Sequence, residues 1–144
     1  MKSPEHSPFL LRVFDPERDY ETVSTWLAER GLRPIPLAIL PKLGILAERD
    51  GVPAAAAWLY MDNSGSGVCF LEGTVTRPGI TLRDARESVR AVVSFLKVRA
   101  AELGYSTMIT FCNPVLAREA RRSGFEECTK NLTMLSAGLC QQHS

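Results

Sequence analysis

Histidine is almost absent from this chain, and that absence excludes several kinds of active site. The 144 residues include two histidines, His6 and His143, and both lie close to an end of the sequence. The body of the chain therefore offers no Ser-His or Cys-His pair for nucleophilic catalysis. The cysteines are widely separated and form no Cys-x-x-Cys pair: Cys69, Cys112, Cys128 and Cys140. We therefore expect no metal site.

Sequence signals for export, membranes and nucleic acid are missing as well. Three of the four cysteines fall in or beside apolar, strand-like runs, which is typical of free, buried thiols in a reducing cytosol. Met1–His6 has no apolar core and predicts no signal peptide. No apolar run approaches the ~18 residues of a membrane helix. The net charge is +1, so the chain lacks a basic footprint for nucleic acid. We expect a cytoplasmic protein.

The composition predicts one domain. Hydrophobic residues make up 45% of the chain and charged residues 23%, which is typical of globular proteins. A chain of this length buries roughly two-thirds of its unfolded surface in a single core. We expect a single domain over residues 1–144, with loose tails at 1–8 and 137–144. We expect the protein to be a monomer or a homodimer.

The stretch from Val68 to Leu103 predicts a strand followed by a long helix. The run Val68–Val75 is rich in β-branched and aromatic residues and indicates a buried strand, which Pro78-Gly79 ends. Seven apolar residues at spacings of three and four then predict a helix over 82–103 with one apolar face. These residues are Leu82, Ala85, Val89, Val92, Leu96, Ala100 and Leu103.

A second strand and a short helix follow directly. The run Thr107–Cys112 predicts the strand, and Asn113 before Pro114 is typical of an N-cap with a first-turn proline. The short helix should end at Gly124-Phe125. A strand, a crossover helix and a strand imply a parallel pair with a right-handed connection.

The rest of the chain completes an α/β (α+β) domain. A helix should run from Asp15-Pro16 to Gly31. Strands are predicted at four places: Phe9–Phe14, Leu43–Glu48, Val52–Met61 and Cys128–Leu135. We expect a mixed, mostly antiparallel sheet with a central parallel strand pair and helices on both faces. The proline-rich segment Leu32–Pro41 can hold only a short helix. It either packs beneath the first helix or forms a lip over a substrate cleft.

The closing motif resembles that of a known family. Asn113, with Gly124-Phe125 eleven and twelve residues later, resembles the end of the GNAT-type N-acyltransferase superfamily. There the asparagine ends the fifth strand and Gly-Phe follows the fourth helix. The order of elements over residues 10–135 is similar too, so the resemblance implies a GNAT-like fold.

One part of that family's pattern is degenerate here. The pyrophosphate loop, Arg or Gln with Gly-x-Gly or Gly-x-Ala, should lie between Val75 and Val89, and that stretch contains a single glycine, Gly79. In this respect the chain is similar to small, divergent GNAT-like proteins of bacteria and phages.

The resemblance implies acetyl-CoA as a substrate that binds where the parallel strands separate. Its pantetheine arm would pair with the backbone of the strand predicted over Val68–Val75, and its pyrophosphate would meet the N-terminus of the long helix. Arg83 and Arg86 could supply charge-assisted contacts in place of the missing glycines, or be ordinary exposed first-turn residues. The expected cofactor-binding residues are Gly73, Thr74, Val75, Thr76, Arg77, Arg83, Arg86 and Asn113.

Amide formation on a thioester needs a base, an oxyanion donor and an acid. Glu72 is the first candidate base and Glu48 the second, because a carboxylate inside an apolar strand is costly unless it is paired. A structural, paired glutamate is the alternative. The family often takes its acid from a tyrosine seven residues after the asparagine, and that position is Ala120. Tyr60 is the first substitute and Tyr105 the second, although both could be core residues.

Two functions from different classes follow. The first is an N-acyltransferase that moves an acetyl group from acetyl-CoA to an amine of unknown identity, on a small molecule or a protein. The second is a GNAT-like binding or assembly module that has lost catalysis. Arg118, Arg121 and Arg122 predict a solvated helix face, with a basic patch as the alternative.

Overall fold

The computed structural model describes residues 8–133 and 135–139. Five strands form one sheet: β1 (Leu10–Val13), β2 (Gly44–Arg49), β3 (Val52–Met61), β4 (Val68–Thr76) and β5 (Thr107–Ile109). Three α-helices accompany them: α1 (Pro16–Glu29), α2 (Leu82–Glu102) and α3 (Pro114–Arg122). A single 3₁₀ turn, Leu37–Ile39, lies within the proline-rich segment, as predicted.

The strands lie in the order β1-β2-β3-β4-β5. All neighbouring pairs are antiparallel except β4 and β5, which are parallel. This confirms the mixed sheet and the parallel pair, which α2 connects. The parallel pair stands at one edge, because no further strand covers β5 within residues 8–133 and 135–139.

Two strand predictions fail near that edge. The strand predicted over Thr107–Cys112 ends at Ile109, because the following residues turn away from β4. The strand predicted over Cys128–Leu135 is wrong for the described residues 128–133 and 135. Asn131 adopts a φ of 58°, which breaks an extended chain.

Helix α1 covers one face of the sheet. Val23, Trp26 and Leu27 form a buried cluster with β-strand residues that include Leu46 and Trp58. Arg12 of β1 fixes the start of the helix through two contacts with Asp19, at 2.6 and 2.7 Å. It also donates to Glu48 of β2 at 3.0 Å. Burial alone would raise the pKa of Asp19, but the bonds from Arg12 and the Asp15 amide hold it below its usual value.

Helix α2 covers the opposite face. Val92 and Leu96 are fully buried against β3, where three alanines, Ala54, Ala55 and Ala57, let the helix approach closely. The expectation that Leu82 and Leu103 join this apolar face is wrong, since they are 64% and 43% exposed. They stand at the two ends of the helix, which the sheet does not cover.

The cysteines of the described residues are free, as expected. Burial was predicted correctly for Cys69 alone, since Cys112 and Cys128 are exposed. Both exposed thiols belong to residues that lie outside the sheet, and Cys140 lies outside the described residues. No helix in the described part of the chain is long and apolar enough to cross a membrane.

Candidate active site

The parallel strands β4 and β5 separate after a short ladder. Val68, Cys69 and Phe70 pair with β5, and Phe70 faces Ile109 in the last pair. From Leu71 onwards β4 continues beside β3 and, within the described residues, has no strand partner on its other side. A cleft therefore opens at the carboxyl end of β5, the kind of place where sheets with parallel strands bind ligands.

A β-bulge marks β4 at this opening. Glu72 faces Trp58 and Val75 faces Ala56, so two residues, Gly73 and Thr74, stand opposite one. Gly73 adopts a φ of 73°, which L-amino-acid side chains rarely tolerate. A Cβ at this position would also lie 2.8 Å from Cε3 of Trp58. Glycine is therefore required twice over, by the turn of the backbone and by the close indole ring.

The Trp58 ring fills the space between two glycines. A Cβ on Gly44 would lie 2.4 Å from Nε1 of Trp58, so the ring spans from Gly44 to Gly73. Nε1 is buried and finds no hydrogen-bond partner among the residues that the structure describes. Phe14 packs edge-on against the indole with a 5.0 Å centroid distance. The buried indole belongs to the residue that pairs with Glu72 across the strands, so it packs beside Glu72 on the same face of the sheet.

Glu72 bridges the gap between the separating strands. Its Oε1 accepts a hydrogen bond from the Phe111 amide at 3.2 Å. The side chain is half-buried, and burial raises its pKa above the ordinary value, although the bond from Phe111 opposes the shift. The structure shows no cationic partner for this carboxylate within the described residues. A half-buried carboxylate with a raised pKa can act as a base, and the amide contact supports the structural alternative.

Tyr60 lies on the same face of the sheet as Glu72, because the two residues are two positions apart on paired strands. Burial, and then the charge of Glu72, raise the pKa of Tyr60, which keeps its phenol protonated. A neutral phenol near a carboxylate can donate a proton. The structure therefore brings the first candidate acid close to the first candidate base.

The second candidates are held elsewhere. The hydroxyl of Tyr105 donates to the Asp62 carbonyl at 2.9 Å, which is a structural contact. Glu48 accepts from Arg12 at 3.0 Å, next to Asp19. Neither is placed at the strand separation, so the structure favours Glu72 and Tyr60 over them.

The proline-rich segment forms a wall beside the bulge. The Tyr20 hydroxyl donates to the Ile35 carbonyl at 2.8 Å and ties the segment to α1. Cδ1 of Ile35 lies close enough that a Cβ on Gly73 would be 3.1 Å from it. Leu37 and Ile39 remain exposed. Ile35 therefore packs as the first interpretation predicts, while the lip over a substrate cleft stays a prediction for the exposed Leu37 and Ile39.

An apolar cleft leads from the strand separation between β4, α2 and α3. Its lining includes Leu71 and Thr74 from β4 and Ala120 from α3, the position of the family's usual tyrosine. The free volume is about 10 Å³, which is room for about one water molecule. Asn113 fixes the start of α3, because its side chain accepts from the Leu116 amide at 2.9 Å.

A wider groove opens between α2 and α3 and has a volume of about 430 Å³. We call it the arginine groove, after its four basic residues: Arg83, Arg86, Arg90 and Arg122. Glu119 holds three of them, with distances of 3.8, 3.0 and 3.2 Å to Arg86, Arg90 and Arg122. Glu119 is buried and also lines the apolar cleft, so the groove and the cleft adjoin at this residue.

The N-terminus of α2 offers less to an anion than the sequence suggests. The Thr81 hydroxyl accepts from the Asp84 amide at 3.1 Å, so the helix caps itself. The Asp84 carboxylate already stands in the first turn, where Arg49 binds it and lowers its pKa. Arg77 also has a structural partner, since its Nε donates to the Pro53 carbonyl at 3.1 Å. The arginine groove beside this end of α2 holds four further guanidinium groups, each in an ion pair with Glu87 or Glu119.

Sequence reasoning missed two functional candidates, Arg90 and Arg122. Arg90 stands seven residues after Arg83, and that helical spacing could have placed it on the same face. For Arg122 the sequence predicts a solvated helix face, with a basic patch as the alternative, and nothing in the sequence indicates that it turns towards α2. Arg121 pairs with Glu127 at 3.0 Å outside the groove. No group of three potential ligands could hold a metal ion within residues 8–133 and 135–139.

No protein-family model matches this chain, and no curated protein matches it either. Its architecture does match solved structures. An acetyltransferase from Trypanosoma brucei is 15% identical with a TM-score of 0.66, covering 89% of this chain and 99% of that protein. The chain has the fold of the GNAT-type N-acyltransferases.

Other structures with the GNAT fold differ in their described roles. A transcriptional regulator from Bacillus halodurans has a TM-score of 0.69 at 18% identity and covers 89% of this chain and 99% of its own. A Clostridium acetobutylicum protein, described as a predicted acetyltransferase, was solved with acetyl-CoA. It is 12% identical with a TM-score of 0.62 and covers 88% of this chain and 96% of its own. Identities this low show the GNAT fold alone.

Proposed function

We propose that this protein is an acetyl-CoA-dependent N-acetyltransferase whose acceptor is an amine. The observation that carries the proposal is the order of environments along one path. The arginine groove adjoins the apolar cleft at Glu119. The cleft is lined by Leu71 and Thr110, the residues that adjoin Glu72 and its hydrogen-bond donor Phe111. Coenzyme A presents charged phosphates, an uncharged arm and a thioester in the same order.

The residues of the site have distinct roles in this reaction. The amine enters on the α1 side, beside Ile35, and its nitrogen attacks the thioester carbonyl carbon. Glu72 takes a proton from the amine, and its raised pKa makes it a stronger base than an exposed carboxylate. The carbon–sulfur bond then breaks, and the Tyr60 phenol protonates the departing thiolate. Backbone amides near the bulge at Gly73 and Thr74 are the candidate donors to the oxyanion.

An acetyl-transfer assay tests this proposal. The wild-type protein is mixed with acetyl-CoA and a panel of primary amines and lysine peptides, and the free thiol of CoA is measured. We expect amine-dependent thiol release with at least one class of acceptor. Tyr60→Phe should lower turnover ~100-fold, the size of a lost general acid. Tyr105→Phe is the matched control, because its hydroxyl donates to the Asp62 carbonyl, away from the strand separation, and it should retain turnover.

A binding or assembly module is the second candidate. It is favoured by Ala120, which replaces the usual acid, and by the narrow cleft beside it. If acetyl-CoA binds but no acceptor increases thiol release, this candidate replaces the enzyme. Equal turnover of Tyr60→Phe and wild type would instead reassign the acid while the enzyme proposal stands.

A further inference from the structure

We propose that the arginine groove recognises the 3′-phosphate of coenzyme A, so that the protein discriminates CoA from 3′-dephospho-CoA. The inference rests on the proposed use of acetyl-CoA and adds a specificity determinant to it. Arg90 and Arg122 are the residues that carry it. Neither residue lies in the first turn of α2, where the pyrophosphate is expected.

The first argument is the length of the basic stripe. Arg83, Arg86 and Arg90 occupy positions i, i+3 and i+7 of α2, so they lie within about 60° of one another around the helix axis. They extend about 10 Å along that axis. A pyrophosphate bound at Arg83 and Arg86 leaves the remaining N–H donors of Arg90 for a second anionic group. In CoA the 3′-phosphate is that group, one ribose ring away from the pyrophosphate.

The second argument is the pairing of two guanidinium groups across the groove. Arg90 belongs to α2 and Arg122 to α3, and both bind the carboxylate of Glu119, at 3.0 and 3.2 Å. Each contact uses one of the five N–H donors of an arginine. Both side chains are about half exposed while Glu119 is 9% exposed. A buried carboxylate thus fixes two guanidinium groups whose remaining donors face the groove.

The third argument is charge. Four guanidinium groups and the carboxylates of Glu87 and Glu119 leave the groove with two net positive charges. The 3′-phosphate is a monoester and carries about −1.5 to −2 at pH 7, whereas each pyrophosphate unit carries one charge. The groove is therefore suited to a monoester in addition to the pyrophosphate.

Calorimetric titration of the wild-type protein with CoA and with 3′-dephospho-CoA tests the proposal. We expect the dephospho ligand to bind at least ~10-fold more weakly, because it loses charge-assisted hydrogen bonds. The preference should shrink below about pH 6, where the monoester takes up its second proton. Equal affinity for the two ligands overturns the phosphate assignment and leaves the proposed function standing. Binding of neither ligand overturns both.

Variants locate the effect. The double variant Arg90→Gln with Arg122→Gln should weaken CoA binding and leave dephospho-CoA binding unchanged. Arg99→Gln is the matched control, since Arg99 lies on the same helix but pairs with Glu102 outside the groove, and it should keep the preference. Retention of the full preference by the folded double variant places the 3′-phosphate elsewhere and overturns the proposal. The wild-type comparison of the two ligands decides the question even if the double variant does not fold.

Discussion

At the residue scale, Glu72 combines a cost in stability with a place in the proposed reaction. A carboxylate half-buried in a strand, without a cationic partner in the described residues, is expensive to ionise. Its carboxylate accepts a hydrogen bond from the Phe111 amide. A glutamine could accept the same bond without a charge. The choice of glutamate is therefore explained by chemistry better than by stability.

The change Glu72→Gln separates the two roles. We expect turnover on an identified acceptor to fall ~100-fold or more, because the base is lost. A raised pKa means that the folded state binds the proton more tightly than the unfolded state. Ionisation therefore lowers wild-type stability as pH rises from the unfolded to the folded pKa, and this cost is absent at lower pH.

Denaturant unfolding across pH 4 to 8 checks the stability part. The Gln variant should gain stability relative to wild type as the pH rises, and should unfold no more easily at neutral pH. Unchanged turnover together with lower stability at every pH would make Glu72 a structural residue.

At the element scale, the bulge of β4 and the helix behind it determine the shape of the site. The bulge turns β4 at Gly73, and the Trp58 ring packs directly against that turn. On the other face α2 holds β3 and β4 in place through its buried apolar stripe. The geometry of the cleft thus depends on both elements.

Replacement of Gly73 by alanine should distort the bulge. The positive φ costs about 1–3 kcal/mol for any L-residue, and the contact with Trp58 adds about 1–3 kcal/mol. Gly79→Ala is the control, because it has a φ of 79° but no atom within 4 Å of the new Cβ. The difference in unfolding free energy between the two variants isolates the contact. Equal losses would show that the indole moves freely aside.

Burial of the apolar stripe of α2 is tested by one substitution at two positions. Val92 is 0% exposed and Val98 is 61% exposed on the same helix. Val92→Asp should lower the unfolding free energy by several kcal/mol, because it buries an unpaired charge, while Val98→Asp should stay within about 0.5 kcal/mol of wild type. A loss below ~1 kcal/mol for Val92→Asp would contradict the packing.

At the scale of the whole molecule, local signals predicted the order of elements better than the site. The caps at Thr81 and Asn113 act within three residues, and the sequence shows them directly. The stop of β5 at Ile109 depends on where β4 leads, and the grouping of arginines around Glu119 depends on how α3 docks. These are contacts between distant residues, which a single sequence does not show. The last predicted strand is absent from the described residues, where Asn131 has a φ of 58°, outside the extended region.

The small volume of the apolar cleft means that the proposed cofactor site requires a conformational change. With a free volume of about 10 Å³ it has no room for a pantetheine arm, so the proposed binding of acetyl-CoA requires α3 to move away from β4. Leu116 and Phe125 pack only partly buried against the core, and Lys97 reaches the end of α3 through the Ser123 carbonyl at 2.6 Å. Glu119 also ties α3 to α2 through Arg86 and Arg90, so the movement has to keep or exchange these ion pairs.

The most direct test of the central claim is an amide NMR titration of the ¹⁵N-labelled protein with acetyl-CoA. We expect saturable shifts at Gly73–Thr76 and Phe111, in the first turns of α2 and throughout α3, while β1 and the start of α1 remain unchanged. No shifts at millimolar acetyl-CoA, or saturable shifts confined to β1 and α1, would contradict a cofactor site at the strand separation.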